Sequence, residues 1–142
     1  MSDCIFCEIL AGRAPASIVY RDELCCAFMD IRPVNQGHVL VIPVRHAACL
    51  AELDEPTGAH IFVIGQRMAA AVRVSGVPCE AVNLFLADGV AAGQDVFHVH
   101  LHIIPRYRGD GFGLRFGPHY GERPPRAELD ATAASIREHL QA

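Results

Sequence analysis

His98, His100 and His102 occupy every second position of Phe97-His98-Val99-His100-Leu101-His102-Ile103-Ile104, with Val99, Leu101 and Ile103 alternating with them. A period of two is that of a β-strand, so the three imidazoles are expected on one face and the apolar set on the other. Same-face neighbours on a strand stand about 7 Å apart, close enough for two or three rings to address one ligand group. Each imidazole inside a fold needs a polar partner, so packing alone accounts poorly for three in strict alternation. Two chemistries suit such a row. One is a metal cage, since neutral imidazole is a common zinc ligand; the chain would then be a metalloenzyme with His98, His100 and His102 on the ion. The other is nucleophilic catalysis, with one ring attacking while its neighbours orient it or handle protons. The approach to this strand, Asp88-Gly89-Val90-Ala91-Ala92-Gly93-Gln94-Asp95, contains glycines and could aim backbone N–H groups at an anion. A histidine nucleophile beside such a turn suggests phosphoryl or nucleotidyl transfer.

Cys4-Ile5-Phe6-Cys7 is a C-x2-C pair, the spacing that seats two thiolates on one tetrahedral zinc, and by itself half a site. Ile5, Phe6 and Ile9 form an apolar stripe that is either core or the flank of a flat aromatic ligand. His38 heads the apolar run His38–Pro43 and His46 follows it, so both could reach a common site from its two ends.

The elements that must hold these groups fit one domain over residues 1–142, with a core at 1–112 and a C-terminal loop and helix at 113–142. A net charge of −4 argues against an extended nucleic-acid surface. No apolar run approaches the roughly 18 residues of a membrane span, and the N-terminus has no basic region followed by an apolar stretch, so a cytoplasmic protein is expected. Without a secretory signal the six cysteines are read as thiols or metal ligands rather than disulfides, with Cys25, Cys26, Cys49 and Cys79 as small buried hydrophobes. Strands are expected at Ser17–Tyr20, Leu24–Met29, His38–Pro43, Ala81–Ala87 and Phe97–Ile104. The first two form a hairpin hinged at Arg21-Asp22-Glu23. Ile61, Ile64, Met68 and Val72 recur at helical spacing and mark a long core helix over Pro56–Val74, with Gly65 as its weak point. A short helix begins near Cys4. A terminal helix over Arg126–Leu140 carries Leu129, Ile136 and Leu140 on one face. Together these make an α+β fold: a five-stranded, mainly antiparallel sheet with one long helix and short N- and C-terminal helices.

Gly93-Gln94-Asp95-Val96-Phe97-His98-Val99-His100-Leu101-His102 resembles the signature of the histidine triad (HIT) superfamily, nucleotide hydrolases and transferases, and the likeness runs from Cys4 to about Phe112. It is most similar to the bacterial Hint-like branch. The resemblance implies a HIT-like fold, His100 as the nucleophile, His102 as the phosphate contact and His38 as a supporting histidine. Histidine rather than glutamine at the position of His102 favours hydrolysis over transfer. It further implies a structural zinc on Cys4, Cys7, His46 and His98, no organic cofactor, and His98 as an orienting group should zinc be absent. A purine nucleotide would lie between Ile5, Phe6, Ile9, Phe28 and Ile31, with Asp30 on the ribose and backbone groups of Gly93, Gln94 and Asp95 at the phosphate. The expected reaction is hydrolysis of a nucleoside phosphoramidate or related monophosphate derivative through a nucleotidyl-histidine. The alternatives are a dinucleoside polyphosphate hydrolase and a nucleotide-binding regulatory module with negligible turnover. The resemblance also implies a homodimer pairing through the long helix and a sheet edge, with the Gly109–Gly113 loop near the partner's pocket. Two positions depart from the family pattern: Asp95 replaces a usual Ser or Thr, and Ala87 a frequent Asn.

Overall fold

Alternation along the strands decides which way each side chain faces. The computed structural model describes residues 3–140. Residues up to Phe112 form one compact unit and those from Gly113 a second. In the first unit, strands β1 (Ile18–Arg21), β2 (Cys25–Met29), β3 (Val39–Pro43), β4 (Ala81–Leu86) and β5 (Leu101–Arg106) form one sheet in the order β1-β2-β3-β5-β4, every neighbouring pair antiparallel. Cys25, Ala27, Val39, Val41, Leu101 and Ile103 meet Ile61, Ile64, Met68, Ala69 and Val72 of helix α2 (Glu55–Val74). Their neighbours Cys26, Phe28, Leu40 and Ile42 pack instead with Phe6 and Ile9 of helix α1 (Ile5–Leu10). The central strands are therefore buried on both faces and read as unbroken apolar runs in the sequence.

Asp54 caps α2 by accepting from the Thr57 backbone N–H (3.0 Å) and hydroxyl (2.8 Å), and Pro56 lies in the first turn, where it forfeits no helical hydrogen bond. The expected weak point of this helix, Gly65, has a packing reason. A Cβ there would sit 2.8 Å from Leu101 Cδ2 and 3.3 Å from Ile103 Cδ1, so glycine lets α2 approach β5. Gly65→Val is expected to destabilise the fold by about 2 kcal/mol through overpacking, measured as a lower denaturant midpoint at unchanged slope. A neutral result would mean the helix does not bear on β5 as described.

The hairpin turn is held by Asp22, which accepts from the backbone N–H groups of Leu24 (2.9 Å) and Cys25 (2.8 Å) and from the Tyr20 hydroxyl (2.8 Å). His60 Nε2 stands 2.6 Å from the same carboxylate and joins the turn to α2. At the other end of the sheet, buried Asn35 donates to the Pro105 carbonyl (2.8 Å) and to Asp110 (2.9 Å), and Arg106 Nε pairs with Asp110 at 2.7 Å. The stretch after β5 is irregular but pinned at Asp110, which through Asn35 fixes the loop leading to His38.

Three expectations are corrected. The ladder of the histidine strand begins at Leu101, so His98, in a bend, and His100 precede it on a segment held by the Val99 N–H to the Ala47 carbonyl (2.8 Å). Cys25 and Cys26 are fully buried, but Cys49 and Cys79 are only half-buried because each lies in a surface connection outside the strands and helices. In the second unit, α3 (Arg126–His139) starts after the proline pair and carries Leu129 and Ile136, both exposed, but it ends before Leu140, which was expected on its last turn.

Candidate active site

The rings of His100 and His102 stand together, centroids 4.9 Å apart, at the end of β5 nearer the glycine loop. Which ring nitrogen carries the proton follows from what each faces. His100 Nδ1 lies 2.7 Å from the His98 carbonyl oxygen, which only accepts, so Nδ1 is the N–H and Nε2 keeps its lone pair. His38 Nδ1 accepts from the Val34 backbone N–H (3.1 Å), so its Nε2 carries hydrogen and donates to His102 Nδ1 at 2.9 Å. His102 is thereby left with its N–H at Nε2. One backbone amide thus sets the tautomers of two histidines. The Asp30 carboxylate lies 3.6 Å from His38 Nε2 and also accepts from the Arg32 backbone N–H (2.8 Å).

Burial is the main reason both His38 and His102 titrate below the ordinary imidazole range. Asp30 opposes the shift at His38, while His100 adds to it. Around His102, the neighbours His100 and His38 push further in the same direction, to a pKa of about 4. A nuclear magnetic resonance titration is expected to find the His102 ring neutral down to that pH; a midpoint near 6.5 would contradict the buried geometry in which Nδ1 accepts from His38. A depressed histidine pKa means the unfolded chain binds the proton first. This group therefore removes stability as pH falls from about 6.5 to about 4, and no more below that.

His100 and His102 open onto a cavity of about 340 Å³. Phe6, Ile9 and Phe28 line it but are largely buried, with Phe6 edge-on to Phe28 at 5.4 Å, so they form a firm wall. Ile5 and Ile31, 50% and 88% exposed, are the free apolar surfaces at its lip. Asp30 and Asp95 also line it. Ala14, Pro15 and Ala16 complete the cavity, as does Arg32; the sequence reading had not placed them there. Pro15 carries a local signal for Ala14–Ala16, since the residue before a proline is pushed to extended backbone. Arg32, next to Asp30-Ile31, carried none.

The glycine loop is built differently from expectation. The N–H groups of Gly93 and Gln94 donate within the loop, to the carbonyls of Val90 (2.9 Å) and Gly89 (3.1 Å). The buried Gln94 side chain accepts from the Gly89 N–H (2.8 Å) and donates to Ala48 and Val96. Gly93, at φ +91°, supplies the left-handed turn that lets the loop close. Of the three residues only Asp95 reaches the cavity, with Oδ1 3.8 Å from His100 Nε2 and Oδ2 3.5 Å from Arg32.

His98 faces a second cluster. Its Nε2–H donates to the Pro43 carbonyl (2.8 Å), which leaves the Nδ1 lone pair directed at Cys4, Cys7 and His46. Cys4 Sγ and Cys7 Sγ lie 3.4 and 3.7 Å from it, His46 Nδ1 3.2 Å, and Cys7 Sγ to His46 Nδ1 spans 3.3 Å. With zinc bonds of about 2.3 Å to sulfur and about 2.05 Å to nitrogen, a tetrahedron has S–N edges of about 3.6 Å and an N–N edge of about 3.3 Å. The donor set fits that ion in type and spacing, and it is a candidate metal site tying α1 to the segment before β5.

An antiparallel sheet with His100 and His102 over a cavity of about 340 Å³, and the alternate histidine His98 turned to a Cys/His cluster, defines a class, and the comparisons agree on it. The HIT domain model matches residues 11–109, and the chain belongs to the HIT family. "Protein hit" of Bacillus subtilis is 40% identical over 139 residues, covering 97% of this chain and 94% of its own. Adenylylsulfatase HINT3 of Arabidopsis thaliana is 36% identical over 109 residues, 77% of this chain and 55% of its own. The crystal structure of a HIT family member from Bacillus subtilis matches with a TM-score of 0.88 at 39% identity, covering 99% of both chains. A Zn-bound histidine triad family protein from Mycobacterium smegmatis matches with a TM-score of 0.75 at 39% identity, covering 97% of this chain and 98% of that one.

Proposed function

We propose that the protein hydrolyses purine nucleoside 5′-phosphoramidates or related nucleoside monophosphate derivatives through a nucleotidyl-His100 intermediate. The observation that carries this reading is the 2.7 Å contact between His100 Nδ1 and the His98 carbonyl, which leaves an unprotonated Nε2 facing the cavity. Nε2 attacks the α-phosphorus and the leaving group departs with the bonding pair and a proton; water then attacks phosphorus, releasing the nucleotide and restoring His100. His102, neutral with its N–H at Nε2, donates to a phosphoryl oxygen as charge builds there. Ile5 and Ile31 flank the base against the wall of Phe6, Ile9 and Phe28, and Asp30 accepts from the ribose hydroxyls. A relative named as an adenylylsulfatase supports an adenylyl group as the part recognised.

Cys4, Cys7, His46 and His98 would hold a structural zinc, a reading supported by the Zn-bound mycobacterial relative. Bound there, zinc fixes the position of His98, and the His98 carbonyl in turn fixes His100. The chain would act in the cytoplasm as a homodimer, with exposed Phe62 and Val63 of α2 in the contact; light scattering that finds a monomer would end that part. Among the described residues no helix is long and apolar enough to cross a membrane.

The test is quenched mass spectrometry after mixing with adenosine 5′-phosphoramidate. The expected result is an added adenylyl mass on the peptide carrying His100. AMP release with no adduct, and no trapping at any quench time, would remove the covalent route.

A further inference from the structure

Beside the nucleotide cavity lies a second cavity of about 440 Å³, and Ile5, Asp95 and Val96 line both. The three shared residues are the partition between them, and Asp95 is the charged one. Its Oδ1 stands 3.8 Å from His100 Nε2, where the phosphorus would be attacked. A group leaving in line with that attack departs on the side of phosphorus away from His100, and the second cavity is the space that Asp95 joins to the nucleotide cavity. The second cavity is lined by two carboxylates, Asp3 and Asp95, with exposed Phe97 and no lysine or arginine. His46 and Cys4 also border it, as candidate metal ligands. Arg32, which lines the nucleotide cavity and not the second, pairs with Asp95 Oδ2 at 3.5 Å in an exposed contact that leaves Oδ1 toward His100.

We infer that the second cavity is the subsite for the leaving group, and that Asp95 makes it select amines whose tail carries a positive charge over leaving groups that carry a negative one. This deepens the hydrolase reading and rests on it. In the step concerned, a bond forms from His100 Nε2 to phosphorus as the phosphorus–nitrogen bond breaks. The bonding pair stays on the amine nitrogen, which takes one proton from solvent; the later attack of water returns that proton to solvent. The amine's tail lies meanwhile among Asp3, Asp95 and Phe97. An ammonium there is attracted at close range, whereas a sulfate, carboxylate or further phosphate is repelled. A carboxylate beside a phosphoryl site is unfavourable for binding the phosphate alone, and it acquires a purpose if the group beyond the phosphate is cationic.

The experiment uses three adenosine 5′-phosphoramidates of matched length, made from 1,2-diaminoethane, propylamine and β-alanine, with the whole protein and Asp95→Asn. The readout is the ratio of kcat/KM for the cationic to the anionic tail, which a general loss of activity leaves unmoved. Dividing the wild-type ratio by that of the variant cancels the intrinsic reactivity of the amines. This quotient is expected to be about tenfold or more, with Asp3→Asn giving a smaller change in the same direction. A quotient near one, with the propylamine compound still hydrolysed, overturns the subsite and leaves the hydrolase reading standing. Calorimetry with counterparts in which a methylene replaces the bridging nitrogen reads the same preference without turnover. A tail preference in binding, lost in Asp95→Asn but accompanied by no hydrolysis of any of the three, keeps the subsite and overturns the hydrolase.

Discussion

Replacing His100 with alanine is expected to lower AMP release from adenosine 5′-phosphoramidate by about 10⁴-fold or more and to abolish the adenylyl adduct. The magnitude follows from what the side chain supplies. His100, the proposed nucleophile, is held by a short hydrogen bond to the His98 carbonyl, 3% exposed, edge-on to Phe6 at 5.3 Å and 4.9 Å from the His102 ring. Water has no such restraint and would have to enter at the same spot without an activating base, since the His102 ring nitrogen turned away from His38 carries a proton. What remains in the variant is positioning by the cavity and donation from His102 Nε2. Retention of more than a few per cent of the wild-type rate would mean that another group attacks. Because the donor cluster at Cys4, Cys7, His46 and His98 does not include this ring, the variant is expected to keep its metal, which separates loss of chemistry from loss of the metal site.

Cys7→Ser is expected to lose about one equivalent of bound zinc per chain and to lower the melting temperature by about 10 °C or more, read by metal analysis and calorimetry. The four donors come from the N-cap and first turn of α1, the segment after β3 and the segment before β5, which meet nowhere in an unfolded chain, so zinc held there would bind the folded form and stabilise it. The S–N distances of 3.3–3.7 Å already match a filled tetrahedron, so little strain offsets that gain. Activity should fall less than in the His100 variant, because the carbonyl that holds the nucleophile belongs to the main chain of His98, which the Val99 N–H also anchors to Ala47. Full zinc content in the variant, or an unchanged melting temperature, would remove the structural metal from the account.

Much of this architecture could be read from periodicity. The helical spacing of Ile61, Ile64, Met68 and Val72 and the apolar runs of β2 and β3 are local signals that burial imposes directly, and the structure follows them. Periodicity stopped informing where main-chain pairing changes without a change in side-chain pattern. His98 and His102 look alike in alternation, yet only the latter is in the ladder, because Val99 is bonded to Ala47 from a distant connection. The hydrogen-bond economy of the glycine loop was equally hidden. Gln94 reads as a polar residue beside an anion site, and its actual work inside the loop depends on Ala48, far away in sequence. The pairing of His38 with His102 was legible only as two histidines that could converge. Its direction, and so the tautomers, needed the Val34 amide. Arg32 and the partition at Asp95 are properties of three-dimensional space with no linear trace.

The two-sided sheet makes this protein intolerant of registration errors. Leu40, His102 and Phe85 lie in one cross-strand row, and Val39, Ile103 and Leu84 in the next. A slip of one residue in β5 would turn the His102 imidazole under α2, toward the space that Gly65 keeps clear, and would place Ile103 on the cavity side of the sheet. Such a chain would have lost its buried seal and its chemistry together, with no graded intermediate. Insertions or deletions between His98 and Ile103 should therefore behave as all-or-none lesions, whereas the exposed connection at Val90–Ala92 has room to change length without turning any histidine over.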